Sequence, residues 1–140
     1  MERRDFLEKI GVGAAFVLTA SCFGACKSDT VTPTATLDFT LDLAAAENAP
    51  LGANGGFIIN TANKVVVVRD TAGNYVAATQ ICSHQGNVQV TYNKAGNNFN
   101  CSAHGANFDL TGKGTNSTGS GGLTIYKTQV LTGNKLRVYS

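Results

Sequence analysis

The chain holds only two histidines, His84 and His104, and each stands within three residues of a cysteine, Cys82 or Cys101. One box reads Cys82-Ser83-His84-Gln85-Gly86 and the other Cys101-Ser102-Ala103-His104-Gly105, with sixteen residues between His84 and Cys101. Two other cysteines, Cys22 and Cys26, lie at the end of an apolar N-terminal stretch. Cys82 and Cys101 could close one disulfide, or they could be metal ligands with the imidazoles beside them. The histidines weigh on the metal side, because a disulfide would leave both of them as bystanders.

For these side chains to meet, the boxes must sit on loops brought together by the chain between them. Each box follows an expected strand and ends in glycine, the residue that lets the backbone turn sharply and approach a metal site closely. Residues 75–81 lead into the first box, after the turn Asp70-Thr71-Ala72-Gly73-Asn74. Residues 88–92, 98–101 and 107–110 read as short strands, with the turn Asn93-Lys94-Ala95-Gly96-Asn97 between the first two. That hairpin can set the two boxes side by side. Residues 37–43 alternate apolar and polar, as a half-buried strand does, and the valine run 65–68 suits a fully buried one. Residues 111–122 are rich in Gly, Ser and Thr and read as loop. Residues 123–131 and 136–139 close the chain as a hairpin. No sustained 3.6-residue apolar period occurs, so the expected fold is a single small all-β antiparallel sandwich or barrel. Tyr126 and Tyr139 read as strand residues at the core edge, Asp109 as a turn cap, and Lys113 and Lys127 as solvated side chains.

The bulk properties agree. With 140 residues, 43% hydrophobic and 14% charged, 16 glycines and two prolines, the chain suits one loop-rich β domain better than a helical bundle. The formal net charge is +2. The leader carries Arg3, Arg4 and Lys9 against Glu2, Asp5 and Glu8, so its removal leaves the balance unchanged. No Lys/Arg run follows it, and nucleic acid is not expected as a partner.

Charged residues crowd the first nine positions, and residues 10–26 are free of charge. This is the layout of a signal peptide, assigned to residues 1–25. Arg3-Arg4-Asp5-Phe6-Leu7 resembles a twin-arginine export motif, with Glu2 and Glu8 departing from the usual flanks. That route carries folded proteins with their cofactors in place. Phe23-Gly24-Ala25-Cys26 resembles a lipoprotein cleavage box, which would make Cys26 the lipidated first residue of the mature chain; Cys22 is a weaker competitor. Residues 26–36 then form a flexible tether, and residues 37–140 the folded domain. The expected location is the periplasmic side of a bacterial membrane, with the N-terminal lipid on the membrane surface. An uncleaved anchor is the alternative, at the short limit for a span.

The two boxes, C-x-H-x-G and C-x-x-H-G with sixteen residues between the ligands, resemble the Rieske iron–sulfur family. The resemblance is clearest over residues 75–110. It implies one [2Fe-2S] cluster per chain, with Cys82 and Cys101 as thiolates on one iron and His84 and His104 as neutral imidazoles on the other. Such a cluster is neutral when oxidised, whereas an all-cysteine cluster is a dianion. Adding an electron therefore costs less and the potential is higher. A histidine-bound iron that accepts the electron also links reduction to imidazole protonation.

The resemblance implies a one-electron carrier, or an electron-transfer subunit of a larger oxidoreductase, with redox proteins as partners and no catalysis by this chain alone. It does not extend to an oxygenase, whose second iron needs two further histidines and a carboxylate. A Cys2His2 zinc module is the chemical rival, but zinc motifs usually pair ligands of one type at each end. The quinol-oxidising members of the family add a cysteine to each box, joined as a disulfide; Asn87 and Ala103 stand there. Their serine and tyrosine donors after the second box are replaced by Ala106 and Phe108, and their proline-containing covering loop by a Gly/Ser/Thr-rich segment. Fewer donors to the reduced, more negative cluster imply a lower potential.

Overall fold

The valine run sets the plan of the molecule. Successive strand residues point to opposite faces, so four apolar residues in a row need a core on both sides. In the computed structural model, which describes residues 36–140, this is what happens: Val66 and Val68 enter one buried cluster, Val65 and Val67 another. The leader, Cys22, Cys26 and the tether up to residue 35 lie outside the described residues.

Nine strands form two antiparallel sheets: β1 (Asp38–Asp42), β2 (Phe57–Asn60), β3 (Val65–Arg69), β4 (Tyr75–Thr79), β5 (Val90–Asn93), β6 (Asn98–Cys101), β7 (Ala106–Phe108), β8 (Ile125–Leu131) and β9 (Lys135–Tyr139). The larger sheet runs β1-β9-β8-β4-β3-β2, and the smaller runs β5-β6-β7. Strand β8 joins the two halves of the larger sheet by changing partner. Ile125 and Tyr126 pair with β4, and Lys127–Leu131 pair with β9. The expected all-β antiparallel architecture is the one observed.

The core beneath the larger sheet's outer half collects Leu41, Leu51, Val65, Val67, Leu136 and Val138. The second core packs the small sheet on β3 and holds Val90, Tyr92, Phe99, Phe108 and both Cys82 and Cys101. The boxes are thus extensions of a buried apolar layer. Tyr126 and Tyr139 are half-buried, as expected of residues at a core edge, and Lys127 lies over the Tyr139 ring, 5.6 Å from its centroid.

Two elements carry no signal in the sequence. A 3₁₀ helix covers Ala46–Gly52, and β2 follows it. The helix is held from outside, through fully buried Leu51 and through Asn48, whose side chain donates to Asp42 O at 2.8 Å. Several strand ends also differ. β4 stops at Thr79, after which Ile81 makes only a single bridge to Val88, and β5 begins at Val90.

The turn before β4 is organised by Asp70, whose carboxylate accepts from the backbone N–H of Ala72 (2.9 Å) and Asn74 (2.8 Å). Burial opposes the ionised form, but the Asn74 amides and the N–H groups of Ala72 and Gly73 outweigh it. They hold the carboxyl below the usual range. A depressed folded-state pKa means stability that is present above the unfolded value and lost as pH falls through the folded one. Asp70→Ala is expected to lower stability by about 1–3 kcal/mol at neutral pH, and to flatten the loss of stability below about pH 4. Urea titrations across that range provide the check.

Candidate metal centre

The two boxes differ in sequence but close the same way. Gly86 N–H donates to Cys82 O at 2.8 Å, and Gly105 N–H donates to Cys101 O at 2.9 Å, so each box is one five-residue turn. Both turns end in the left-handed region, with φ of 72° at Gly86 and 73° at Gly105. A Cβ at either glycine would meet nothing within 4 Å, so backbone angle rather than space selects glycine. Any other L-residue there would cost roughly 1–2 kcal/mol.

The hairpin of β5 and β6 aligns these turns. Val90 pairs with Cys101, Val90 N–H donates to Gln80 O (3.1 Å), and Cys82 N–H donates to Asn87 O (2.8 Å). The box-one turn is thereby locked to the base of β5, and box two begins on the last residue of β6. The four sequence-identified residues come together as two pairs. Cys82 and Cys101 are buried, unbonded thiols in one apolar cluster. His84 and His104 are exposed, with ring centroids 5.0 Å apart and planes at 67°.

The thiol pair is buried and mutually repulsive as thiolates. Burial pushes the Cys82 thiol up, and the neighbouring Cys101 sulfur adds to this; the N–H groups of His84 and Gln85, aimed at the Cys82 sulfur, pull the other way. A bound cation would reverse the balance by taking the thiolates, and the two amides would remain as donors to the ligating sulfur.

This arrangement separates the two metal readings. A single tetrahedral zinc needs its ligands to converge on one point. Among the described residues, no three His, Cys, Asp or Glu side chains do so. Paired thiols inside and paired imidazoles outside instead offer two ligands to each of two metal ions. The donor set fits a cluster of two irons and two sulfides.

The segment after β7 completes the site: residues 111–122 are loop, as expected, and residues 109–110, expected to continue the strand, belong to the same segment because β7 ends at Phe108. Residues 109–122 start at Asp109, whose carboxylate accepts from the N–H groups of Thr111 (2.8 Å) and Lys113 (3.0 Å), the turn cap expected of it. The segment then lies along β7, with Thr115 N–H donating to Asn107 O at 2.9 Å. It ends against box one, where a Cβ on Gly121 would sit 2.9 Å from Ser83 Oγ. It contains no proline, and its glycines permit the close approach instead. A Cβ on Gly119 would lie 2.3 Å from Asn107 O. Asn116 binds the segment to box two through one hydrogen bond, from its Nδ2 to Gly105 O at 2.7 Å, and no spacing rule in the sequence points to it.

A search of curated proteins finds no match. Among solved structures, the cyanobacterial plasma membrane Rieske protein PetC3 of Synechocystis PCC 6803 is 35% identical, with a TM-score of 0.53, covering 66% of this chain and 93% of that one. The ferredoxin of carbazole 1,9a-dioxygenase from Nocardioides aromaticivorans IC177 is 22% identical, with a TM-score of 0.49, covering 61% of this chain and 86% of that one. The Rieske [2Fe-2S] domain family matches residues 43–127. That stretch takes in both boxes and more than half of the sequence, and so the chain belongs to the Rieske [2Fe-2S] domain family, with a [2Fe-2S] cluster as its cofactor.

Proposed function

We propose that this electron-transfer protein is an exported, membrane-tethered one-electron carrier of lower potential than the quinol-oxidising Rieske subunits. In this reading Cys82 and Cys101 hold one iron, and His84 and His104 hold the other. The cluster, when bound, supplies a one-electron couple. The observation that carries the reading is the division between buried thiols and exposed imidazoles. The thiols anchor the cofactor in the apolar layer and keep water from the sulfurs. The imidazoles present the other side to a partner.

Their surroundings suit a protein partner. Ile81 and Val88, each 43% exposed, bridge to one another at the base of the box-one turn. Exposed apolar side chains beside redox ligands favour close, dry contact with a docking surface. The leader and Cys26 support tethering on the periplasmic side of a membrane, as does the likeness to a protein described as a plasma membrane Rieske protein. Among the described residues, no helix is long and apolar enough to cross a membrane.

The lower potential is argued from β7. Ala106 is fully buried and lies directly opposite Cys101 in the β6–β7 ladder. Directly paired residues share a face, so a side-chain donor at 106 would be placed toward the Cys101 sulfur. Alanine offers none, and Phe108, also fully buried, offers none. A redox titration of the holoprotein should give a midpoint below the range of the quinol-oxidising subunits. Ala106→Ser should raise it by roughly 20–60 mV, the one-electron equivalent of one hydrogen bond of about 0.5–1.5 kcal/mol. A native midpoint in the high-potential range would refute this part of the reading.

A further inference from the structure

Asn116 makes more hydrogen bonds than any surface side chain of its exposure requires. Its Oδ1 accepts from Asn107 N–H (3.1 Å), Gly119 N–H (2.9 Å) and Thr118 Oγ1 (3.2 Å). Its Nδ2 donates to Gly105 O at 2.7 Å. Gly105 directly follows His104 and closes the box-two turn. One side chain therefore ties segment 109–122 at once to itself, to β7 and to the residue after the histidine.

The rest of the segment makes this tie consequential. Its start is fixed by Asp109 and its end by Leu123, buried in the core, whose N–H donates to Gly112 O at 2.8 Å. Gly121 lies against Ser83 of box one. The segment is thus a strap running from box two to box one. Of the strap's own side chains, that of Asn116 alone bonds to the box-two turn; Gln89, from outside the strap, accepts from Ser102 Oγ of the same turn at 3.2 Å. Gly105 is the one position of that turn without a side chain, so it can be held only by its backbone.

We propose that Asn116 is a positioning residue for His104: through Gly105 O it fixes the box-two turn, and hence the placement of the outer imidazole. This rests on His104 being a cluster ligand. The group that does the holding is the Nδ2 donor, while Oδ1 organises the strap. The two jobs can be separated by substitution. Asn116→Asp keeps an acceptor for Asn107, Gly119 and Thr118 but cannot donate to Gly105 O. Asn116→Ala loses both. Ser117→Ala changes the next residue of the strap, whose side chain makes no recorded hydrogen bond, and serves as control.

Holoproteins of the four forms would be compared by redox midpoint, by the line shape of the reduced electron paramagnetic resonance spectrum, and by the rate of iron release to a chelator. Asn116→Asp is expected to lower the melting temperature less than Asn116→Ala does, yet shift the midpoint and release iron about tenfold to a hundredfold faster, the usual cost of losing a support behind a metal ligand. Asn116→Ala should do the same with a lower melting temperature, and Ser117→Ala should match native. If Asn116→Asp matches native in midpoint and release rate, the proposal is wrong, and Asn116 only folds the strap.

Should neither variant fold, hydrogen exchange on the native holoprotein decides. The amides of residues 105–122 must be protected there, and exchange at unstructured rates would overturn the proposal. A native protein that binds no iron would instead remove the ligand reading on which it stands.

Discussion

Cys101→Ala is expected to yield a folded, colourless protein without iron or labile sulfide. Cys101 is fully buried, at the end of β6, in the same apolar layer as Phe99, Phe108 and Val90. A buried thiolate can be tolerated only with a cation beside it, so in the proposed assignment the two buried cysteines hold the cofactor as a pair. With one of them gone, the inner iron keeps a single protein ligand, and the imidazoles at the surface cannot substitute from outside. The loss should be complete rather than graded. The fold should persist, because alanine leaves an apolar residue at an apolar position and the β6 pairing to Val90 and Ala106 is made by backbone. Iron and sulfide analysis with a circular dichroism spectrum would check both halves. A Cys101→Ala protein that still carries a stoichiometric cluster would show that the inner ligands have been misassigned.

Phe99→Ala carries the largest expected cost in stability, about 3–5 kcal/mol. Phe99 is fully buried in the middle strand of the small sheet. It pairs with Tyr92 on one side and Phe108 on the other, and its ring meets that of Tyr92 edge-on at 6.3 Å. A three-stranded sheet has little independent stability and depends on the apolar face it presents to β3. Phe99 and Cys101 are two residues apart on one strand and so share that face. Emptying the Phe99 position should therefore loosen the ladder that holds box two. Against a typical total stability of about 5–15 kcal/mol, the loss is large enough to leave the holoprotein only marginally folded. Denaturant titration should show it, and iron release should track unfolding. Val130→Ala, at a position 63% exposed, should change stability by no more than about 0.5 kcal/mol.

Most of the architecture was legible because it rests on local signals. The valines of β3, the alternation of β1, and the turns at 70–74 and 93–97 each state their role within a few residues. The two boxes were legible because a metal centre needs particular atoms at particular spacings, and only four side chains of the folded part could supply them. What escaped was held by tertiary contacts. The 3₁₀ helix Ala46–Gly52 contains Pro50, shows no apolar period, and depends on Leu51 reaching the core. β2 is four residues long with Ile59 exposed, too short and too exposed to alternate. Val88 falls short of β5 because it pairs with Ile81 across the mouth of the box-one turn.

The strap shows the same limit at the site. Its Gly/Ser/Thr composition reads as loop, and loop it is. Its closeness to the two boxes comes from glycines whose missing Cβ atoms admit backbone carbonyls, and from one asparagine whose partners lie nine and eleven residues away. The sequence also shows the absence of a proline in this segment, but not that close packing and Asn116 would bring it against both turns all the same.

The central claim is that paired buried thiols and paired exposed imidazoles hold one diiron cluster. It is tested most directly by metal and sulfide analysis of the purified native protein, with an electron paramagnetic resonance spectrum after reduction. The account predicts a red-brown protein with two irons and two labile sulfides per chain and a low-g signal that appears on reduction. A colourless protein with one zinc per chain and no such signal would contradict it.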